Sequence, residues 1–167
     1  IGKNMLHKEK SLSLSPNFDE MKIFVLLPRI PYPLEKGDKL RAFNQIKQLA
    51  KHNEIVLCAL NDNPKVSEQD AFHALQPYCQ SINFIRITKP QIALGLVRAF
   101  FKGLPLQCGY FYNHKAAKKV NALIAKHKPD MLYGQLLRTA EYIRHKDLPK
   151  AIDYQDIFSY GMKRRAD

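Results

Sequence analysis

The chain has few cysteines, and they lack the spacing of a metal or redox site. Its 167 residues include only Cys58, Cys79 and Cys108, with no CxxC pair among them. An odd number of widely spaced cysteines argues against both a disulfide framework and a zinc site. We therefore expect reduced, buried thiols, no metal site and no cofactor.

Long apolar runs are also missing. No stretch reaches the roughly 20 apolar residues that a membrane-spanning helix needs. The apolar run at residues 23–27 is too short for a signal peptide and follows an acidic pair. These absences predict a cytoplasmic protein, for which peripheral contact with the inner face of the membrane stays open.

Acidic residues are the minority among the charged ones, since 15 Asp and Glu face 27 Lys and Arg and leave a formal charge of +12. Such an excess favours an anionic partner, such as a nucleotide diphosphate, a lipid phosphate, an acidic membrane surface or nucleic acid. The basic residues are scattered over several predicted helices without a recognition motif. We therefore expect no nucleic-acid partner.

What the chain does contain is a regular alternation of apolar strands and amphipathic helices. Five short apolar runs predict strands at residues 22–27, 54–60, 81–87, 130–134 and 150–154. Helical patterns lie between them, and Ser67 and Asn113 suit the caps of two of these helices. The alternation predicts an α/β fold, a Rossmann-like three-layer α/β/α sandwich with a mainly parallel sheet. Residues 1–20 are predicted to be a flexible leader, and residues 21–167 one domain.

The first predicted helix opens with features of an anion site. Pro28 ends the first strand, and Gly37 permits a positive φ or the close approach of a ligand. Asp38 suits the N-cap, and the free N–H groups that follow, with Lys39 and Arg41, favour an anion. The spacing also fits an ordinary turn and cap, so both interpretations stay open.

A second helix, predicted at residues 90–103, is apolar on most of its surface. Packing in the core is the favoured interpretation. The alternative is an interfacial helix whose Phe100 and Phe101 enter the headgroup region while Arg98 and Lys102 meet lipid phosphate.

The segment PRIPYPLEKGDKLRAFNQIKQLAKHNEIVL resembles the opening of family 4 glycosyltransferases of the GT-B fold, especially bacterial exopolysaccharide sugar transferases. Gly37 and Asp38 stand where many members have two glycines, so only the role of the first glycine transfers. The later segments PLQCGYFYNHKAAKKV and IDYQDIFSYGMKRR are similar to the same family. The resemblance covers roughly residues 21–165 and corresponds to the N-terminal half of a GT-B fold, the acceptor-side domain. It implies that the C-terminal donor-binding domain is absent.

The resemblance implies that the full-length protein is a hexosyltransferase-like enzyme. It would transfer a sugar from a nucleotide-sugar donor to a saccharide or lipid-linked acceptor in surface polysaccharide biosynthesis. The chain alone is expected to be inactive, because it has no paired-glutamate motif and no glycine-rich nucleotide loop. Two alternatives stay open: a non-catalytic anion- or phosphate-binding module, and one half of another GT-B enzyme such as a nucleotide-sugar epimerase.

Site residues follow from the resemblance and from their positions at strand ends. The catalytic residues are unassigned. The expected donor-phosphate loop comprises Gly37, Asp38, Lys39 and Arg41, and the expected acceptor cleft comprises Tyr32, Tyr110, Gln135, Arg138 and Asp153.

Overall fold

The structure is a computed structural model that describes residues 20–101, 103 and 106–154. Its strands are β1 Met21–Leu27, β2 Asn53–Asn61, β3 Ser81–Arg86, β4 Met131–Gln135 and β5 Lys150–Asp153. All four strand pairs are parallel, in the order β3-β2-β1-β4-β5. The predicted parallel sheet is confirmed, and its continuous apolar runs fit strands that are covered on both faces.

The helices cover the two faces of this sheet. They are α1 Gly37–Leu49, α2 Glu68–Leu75, α3 Lys89–Phe101, α4 Leu106–Phe111, α5 His114–His127 and α6 Ala140–Ile143. One core contains α1 and α2 residues such as Ile46 and Leu75, packed with β1 residues such as Val25. The other core contains residues of α4, α5 and α6, such as Val120 and Ile143. The predicted Rossmann-like α/β/α sandwich is therefore confirmed.

Two of the predicted helix caps are also confirmed. Ser67 caps α2 by accepting a hydrogen bond from the backbone N–H of Asp70 at 3.2 Å. Asn113 caps α5 by accepting from the N–H of Ala116 at 2.7 Å. Each side chain satisfies an N–H that the first helical turn would otherwise leave unpaired.

The start of α1 differs from its prediction. Lys36 is the N-cap residue and makes no side-chain capping bond, so the assignment of Asp38 as the cap is wrong. Gly37 has no positive φ, and a Cβ there would meet nothing within 4 Å. The buried stripe is formed by Ala42 and Ile46, whereas Leu40 is 44% exposed. The carboxylate of Asp38 is free of the cap because it binds a side chain in the preceding loop.

The strand order sets the place where a ligand can bind. The chain runs from β1 outward through β2 to β3, then crosses back to form β4 on the other side of β1. The loops that follow β1 and β4 therefore leave the sheet in opposite directions. Open α/β sheets bind their ligands at the carboxyl edge beside such a reversal of direction.

Candidate ligand-binding site

The loop after β1 places an arginine at this edge. Pro28 is buried, and Arg29 is half-buried beside the first turn of α1. Nη1 of Arg29 lies 3.3 Å from Oδ2 of Asp38. Nε of Arg29 is buried and has no hydrogen-bond partner among the described residues. Arg29 is thus held by one carboxylate and retains an unused donor, which a bound acceptor could satisfy.

The loop after β4 begins with an unusual backbone conformation. Leu136 has φ 63° and ψ 155°, a region that side-chain-bearing residues rarely occupy. The N–H of Leu136 donates to the carbonyl of Asp153 at 2.7 Å. Thr139 Oγ1 lies 3.2 and 3.1 Å from the carbonyl oxygens of Gln135 and Leu136, which share its one proton. These bonds hold a strained turn, a feature that concentrates at functional sites, and Arg138 follows directly after it.

Arg138 is a half-buried cation without a carboxylate of its own. Its guanidinium carbon lies 5.0 Å from the centre of the Phe111 ring. Burial lowers the pKa of Arg138, and the nearby charge of Arg29 lowers it further, against the opposite effects of Asp38 and Asp62. Arg138 makes no ion pair or hydrogen bond within the described part of the chain. Its charge is therefore available to a ligand.

A carboxylate and a phenol complete this group. Asp62 follows β2 directly, and Tyr110 from α4 donates its hydroxyl to Oδ2 of Asp62 at 3.3 Å. Burial, and then the charge of Asp62, raise the pKa of Tyr110, so the phenol stays protonated at neutral pH. We call Arg29, Asp38, Asp62, Tyr110 and Arg138 the switch-point cluster.

Two members of the switch-point cluster, Arg29 and Asp62, line a cleft of about 820 Å³ between the loops after β1 and β2. The cleft is large enough for a small organic molecule. Its walls are mostly polar and include Arg29, Tyr32, Lys39, Asp62 and Lys65. Nζ of Lys39 donates a hydrogen bond to the Tyr32 carbonyl at 3.1 Å, which holds the lysine side chain against the wall of the cleft. Burial lowers the pKa of Lys39.

A second group of charges lies further along the carboxyl edge, between α1 and β5. Asp153 accepts from Nη2 of Arg41 at 3.1 Å, from Nε2 of Gln45 at 2.7 Å and from the hydroxyl of Tyr133 at 3.2 Å. Burial, and then the charge of Asp153, raise the pKa of Tyr133 to about 12. We call Arg41, Gln45, Tyr133 and Asp153 the edge cluster. Its carboxylate accepts three side-chain hydrogen bonds and so connects α1, β4 and β5.

The structure therefore divides the residues that the sequence singled out. Asp38, Tyr110 and Arg138 meet in the switch-point cluster, whereas Arg41 and Asp153 pair with each other in the edge cluster. Gly37 lines a groove beside the edge cluster, and Tyr32 and Lys39 form the cleft wall. Gln135 is buried and braces α1 through a 3.5 Å contact from its Nε2 to the Asp38 carbonyl. No observation tests which of them bind a ligand, so these assignments stay predictions.

Sequence reasoning missed Arg29 and Asp62. Both follow within two residues of the carboxyl end of a buried strand, Arg29 after β1 and Asp62 after β2. A position just after the end of a strand is the reason for singling out Gln135 and Arg138 after β4. The same reasoning applies to the residues that follow β1 and β2.

The described residues contain no group of three or more His, Cys, Asp or Glu side chains that could hold a metal ion. Cys58 and Cys79 are free, and burial raises the pKa of each thiol to about 12. Such thiols are poor nucleophiles at neutral pH, because they stay protonated. In the part of the chain that the structure describes, no helix has the length and apolar content to cross a membrane.

Comparison with known proteins gives no family for this chain. No protein-family model and no curated protein matches its sequence. A solved structure with a similar fold is that of a universal stress protein in complex with cAMP. The two share 10% identity over 82% of this chain and 99% of that chain, with a TM-score of 0.40.

These findings correct the prediction drawn from resemblance. Membership of the family 4 glycosyltransferases is wrong: no model of that family and no curated member of it matches the sequence. The predicted sugar transfer for surface polysaccharide synthesis is wrong with it, as are the nucleotide-sugar donor and the saccharide or lipid-linked acceptor. The resemblance rested on a Pro-rich loop, a glycine and a basic helix, features that a parallel α/β domain can contain whatever it binds.

Other predictions are not tested by these comparisons. The division into a leader and one domain, and the expected inactivity of the chain alone, stay predictions. The leader, apart from Glu20, lies outside the described residues.

Proposed function

We propose that this chain is a ligand-binding domain that holds a small organic anion at the carboxyl edge of its sheet. The anionic group, a phosphate or a carboxylate, binds between Arg29 and Arg138. The rest of the molecule extends into the cleft between the loops after β1 and β2. This is the anion-binding alternative that the sequence left open, now with different residues.

The observation that carries the proposal is the placement of two guanidinium groups at the topological switch point. Arg138 has no carboxylate partner among the described residues, and the charge of Arg29 acts on it unfavourably. An anion between the two guanidinium groups would relieve that repulsion. It would also accept a hydrogen bond from the unused Nε–H of Arg29. Guanidinium groups bind phosphate and carboxylate well, because their planar donors match the spacing of the oxygens.

The opposite wall adds a preference for ligands with hydroxyl or amino groups. Among the described residues, Asp62 accepts a hydrogen bond from Tyr110, and a carboxylate has room for about four. Its remaining lone pairs face a polar cleft. A ligand with both an anionic group and a hydroxyl would use the arginines and Asp62 together.

The test compares two probes, inorganic phosphate and glycerol 3-phosphate, by thermal unfolding of the 167-residue chain at constant ionic strength. A ligand that binds only the folded state raises the unfolding temperature, and the rise grows with the logarithm of the ligand concentration relative to Kd. We expect both probes to stabilise the wild type, and glycerol 3-phosphate to bind more tightly. Arg138→Gln should weaken both by about 10- to 100-fold, the usual effect of losing a charged hydrogen bond.

The matched control is Arg41→Gln, which removes an arginine of the edge cluster and should leave both affinities unchanged. Asp62→Asn should remove the advantage of glycerol 3-phosphate while leaving phosphate binding intact. Equal losses of affinity in Arg138→Gln and Arg41→Gln would overturn the proposal, because binding would then depend on the total charge of the protein and not on one site. Absence of stabilisation by either probe would overturn it as well.

A further inference from the structure

Helix α3 presents a wide apolar face to solvent. Leu94, Val97, Phe100 and Phe101 are 72%, 54%, 75% and 82% exposed. At 100° per residue these four positions fall on one side of the helix. Large apolar side chains grouped in this way mark a surface that binds something, whereas scattered ones do not. We call these four residues the α3 patch.

The opposite side of α3 is fixed to the rest of the molecule. A Cβ on Gly95 would lie 2.2 Å from the carbonyl oxygen of Gly109, and one on Gly109 would lie 2.4 Å from Cβ of Ala99. The backbones of α3 and α4 are therefore in direct contact, and α3 cannot rotate to bury its patch. The patch stays on the surface.

The stretch of sequence that contains the patch carries charge of one sign. Between Asp70 and Asp130 the sequence has no acidic residue. The same interval has nine basic residues: Arg86, Lys89, Arg98, Lys102, Lys115, Lys118, Lys119, Lys126 and Lys128. A surface that combines apolar side chains with such an excess of positive charge is complementary to an anionic lipid bilayer.

One of these cations is positioned at the border of the patch. Arg98 donates from Nη1 to Nε2 of His114 at 2.6 Å and lies 5.0 Å from the centre of the Tyr112 ring. Lys115 and Leu94 line the same pocket, which has a volume of about 210 Å³. The guanidinium and the ammonium thus stand beside the apolar side chains, at the level where lipid phosphates lie when such side chains enter a bilayer.

We propose that α3 docks this chain on an anionic membrane surface. The α3 patch enters the headgroup region, and Arg98 and Lys115 bind lipid phosphate. A second copy of the chain is the less favourable occupant, because two such basic surfaces would repel each other. The inference uses no residue of the switch-point cluster, and it is independent of the proposed ligand site.

The chain contains no tryptophan, so a single introduced one reports on its own environment. Phe100→Trp keeps the patch apolar, and Phe72→Trp places the same reporter on α2, where Phe72 is also exposed. With vesicles of phosphatidylglycerol and phosphatidylcholine, emission of the Phe100→Trp variant should shift to shorter wavelength. The Phe72→Trp variant should show no shift, and neither should shift with pure phosphatidylcholine. A shift at both positions, or at neither, would overturn the proposal.

Vesicle flotation then tests the energetics. Phe100→Ser with Phe101→Ser should reduce partitioning to anionic vesicles by about ten-fold or more, because two apolar side chains no longer enter the lipid. Phe72→Ser should change it little, and circular dichroism should show both variants folded. Undiminished partitioning of the double variant would overturn the proposal. So would a wild type that sediments as a dimer and becomes a monomer when both phenylalanines are replaced, since a second copy would then cover the face.

Discussion

The two clusters at the carboxyl edge contain the same kinds of residue in different states. In the edge cluster the carboxylate of Asp153 accepts from Arg41, Gln45 and Tyr133. In the switch-point cluster Arg138 has no hydrogen bond or ion pair in the described part of the chain, and Nε of Arg29 lacks a partner there. The first arrangement pairs its charges internally, and the second leaves guanidinium donors unused among the described residues.

Under the proposed function, this difference separates arginines that support the fold from arginines that bind the ligand. A charge that the fold itself neutralises contributes to holding elements together, and its removal leaves the partner unsatisfied. A charge that the fold leaves without a partner costs stability and persists where a ligand uses it. The edge cluster should therefore respond to mutation mainly in stability, and the switch-point cluster mainly in binding.

The largest effect should come from a change that disturbs the strand between the clusters. A Cβ on Gly134 would lie 2.7 Å from Oγ1 of Thr139 and 2.9 Å from Cδ1 of Ile143. Gly134→Val should therefore destabilise the fold by about 3 kcal/mol through overpacking. Chemical denaturation measures this cost, and Gly37→Val, where a Cβ meets nothing, should cost less than about 1 kcal/mol. Similar losses of unfolding free energy in the two variants would contradict the close packing around Gly134.

Next in size is the loss of the edge-cluster carboxylate. Asp153→Asn removes the ion pair with Arg41 and weakens the acceptance of two further hydrogen bonds, so we expect a cost of about 2 kcal/mol. Asp62→Asn, which loses one longer bond from Tyr110, should cost less than about 1 kcal/mol. Denaturant midpoints of the two variants give the comparison. A larger cost for Asp62→Asn would reverse the roles assigned to the clusters.

Arg138→Gln should have a smaller effect on stability still. It loses the contact with the Phe111 ring but also the repulsion from Arg29, so we expect a net change within about 1 kcal/mol. Thermal or denaturant unfolding without added ligand measures it. A loss as large as that of Asp153→Asn would show that Arg138 is structural.

The smallest effect is a dependence of stability on pH that arises away from both clusters. Burial, and then Lys126 and Lys22, lower the pKa of His127 below its ordinary 6.5. The unfolded chain therefore binds this proton more readily than the folded one, so stability is present above pH 6.5 and falls as the pH drops below it. Unfolding at pH 7.5 and 5.5 measures the slope, and His127→Gln should reduce it. A fold that gains stability on acidification would contradict this sign.

The fold could be predicted further than the site. The central strands β1 and β2 follow from continuous apolar runs, because a strand covered on both faces leaves that pattern in the sequence itself. The caps at Ser67 and Asn113 were found because a cap is a local interaction between residues two or three apart. Both kinds of signal are short in range, and a single sequence contains them completely.

The site depends on contacts that are distant in sequence. Arg41 was assigned to a phosphate loop because it lies near Gly37, but the fold pairs it with Asp153, 112 residues away. Arg29 and Arg138 come together only because β4 returns to the side of β1. No spacing in the sequence predicts that these two arginines are neighbours. The function was inferred from a resemblance to another family instead, and that inference was wrong.

The anion site between Arg29 and Arg138 is tested most directly by the side-chain ¹H–¹⁵N spectrum of the arginines during a titration with inorganic phosphate. We expect the Nε–H signals of Arg29 and Arg138 to move together along one saturating curve. The signal of Arg41, already committed to Asp153, should stay in place. Movement of Arg41 without Arg29 and Arg138, or equal small drifts of every arginine, would contradict an anion site at the switch point.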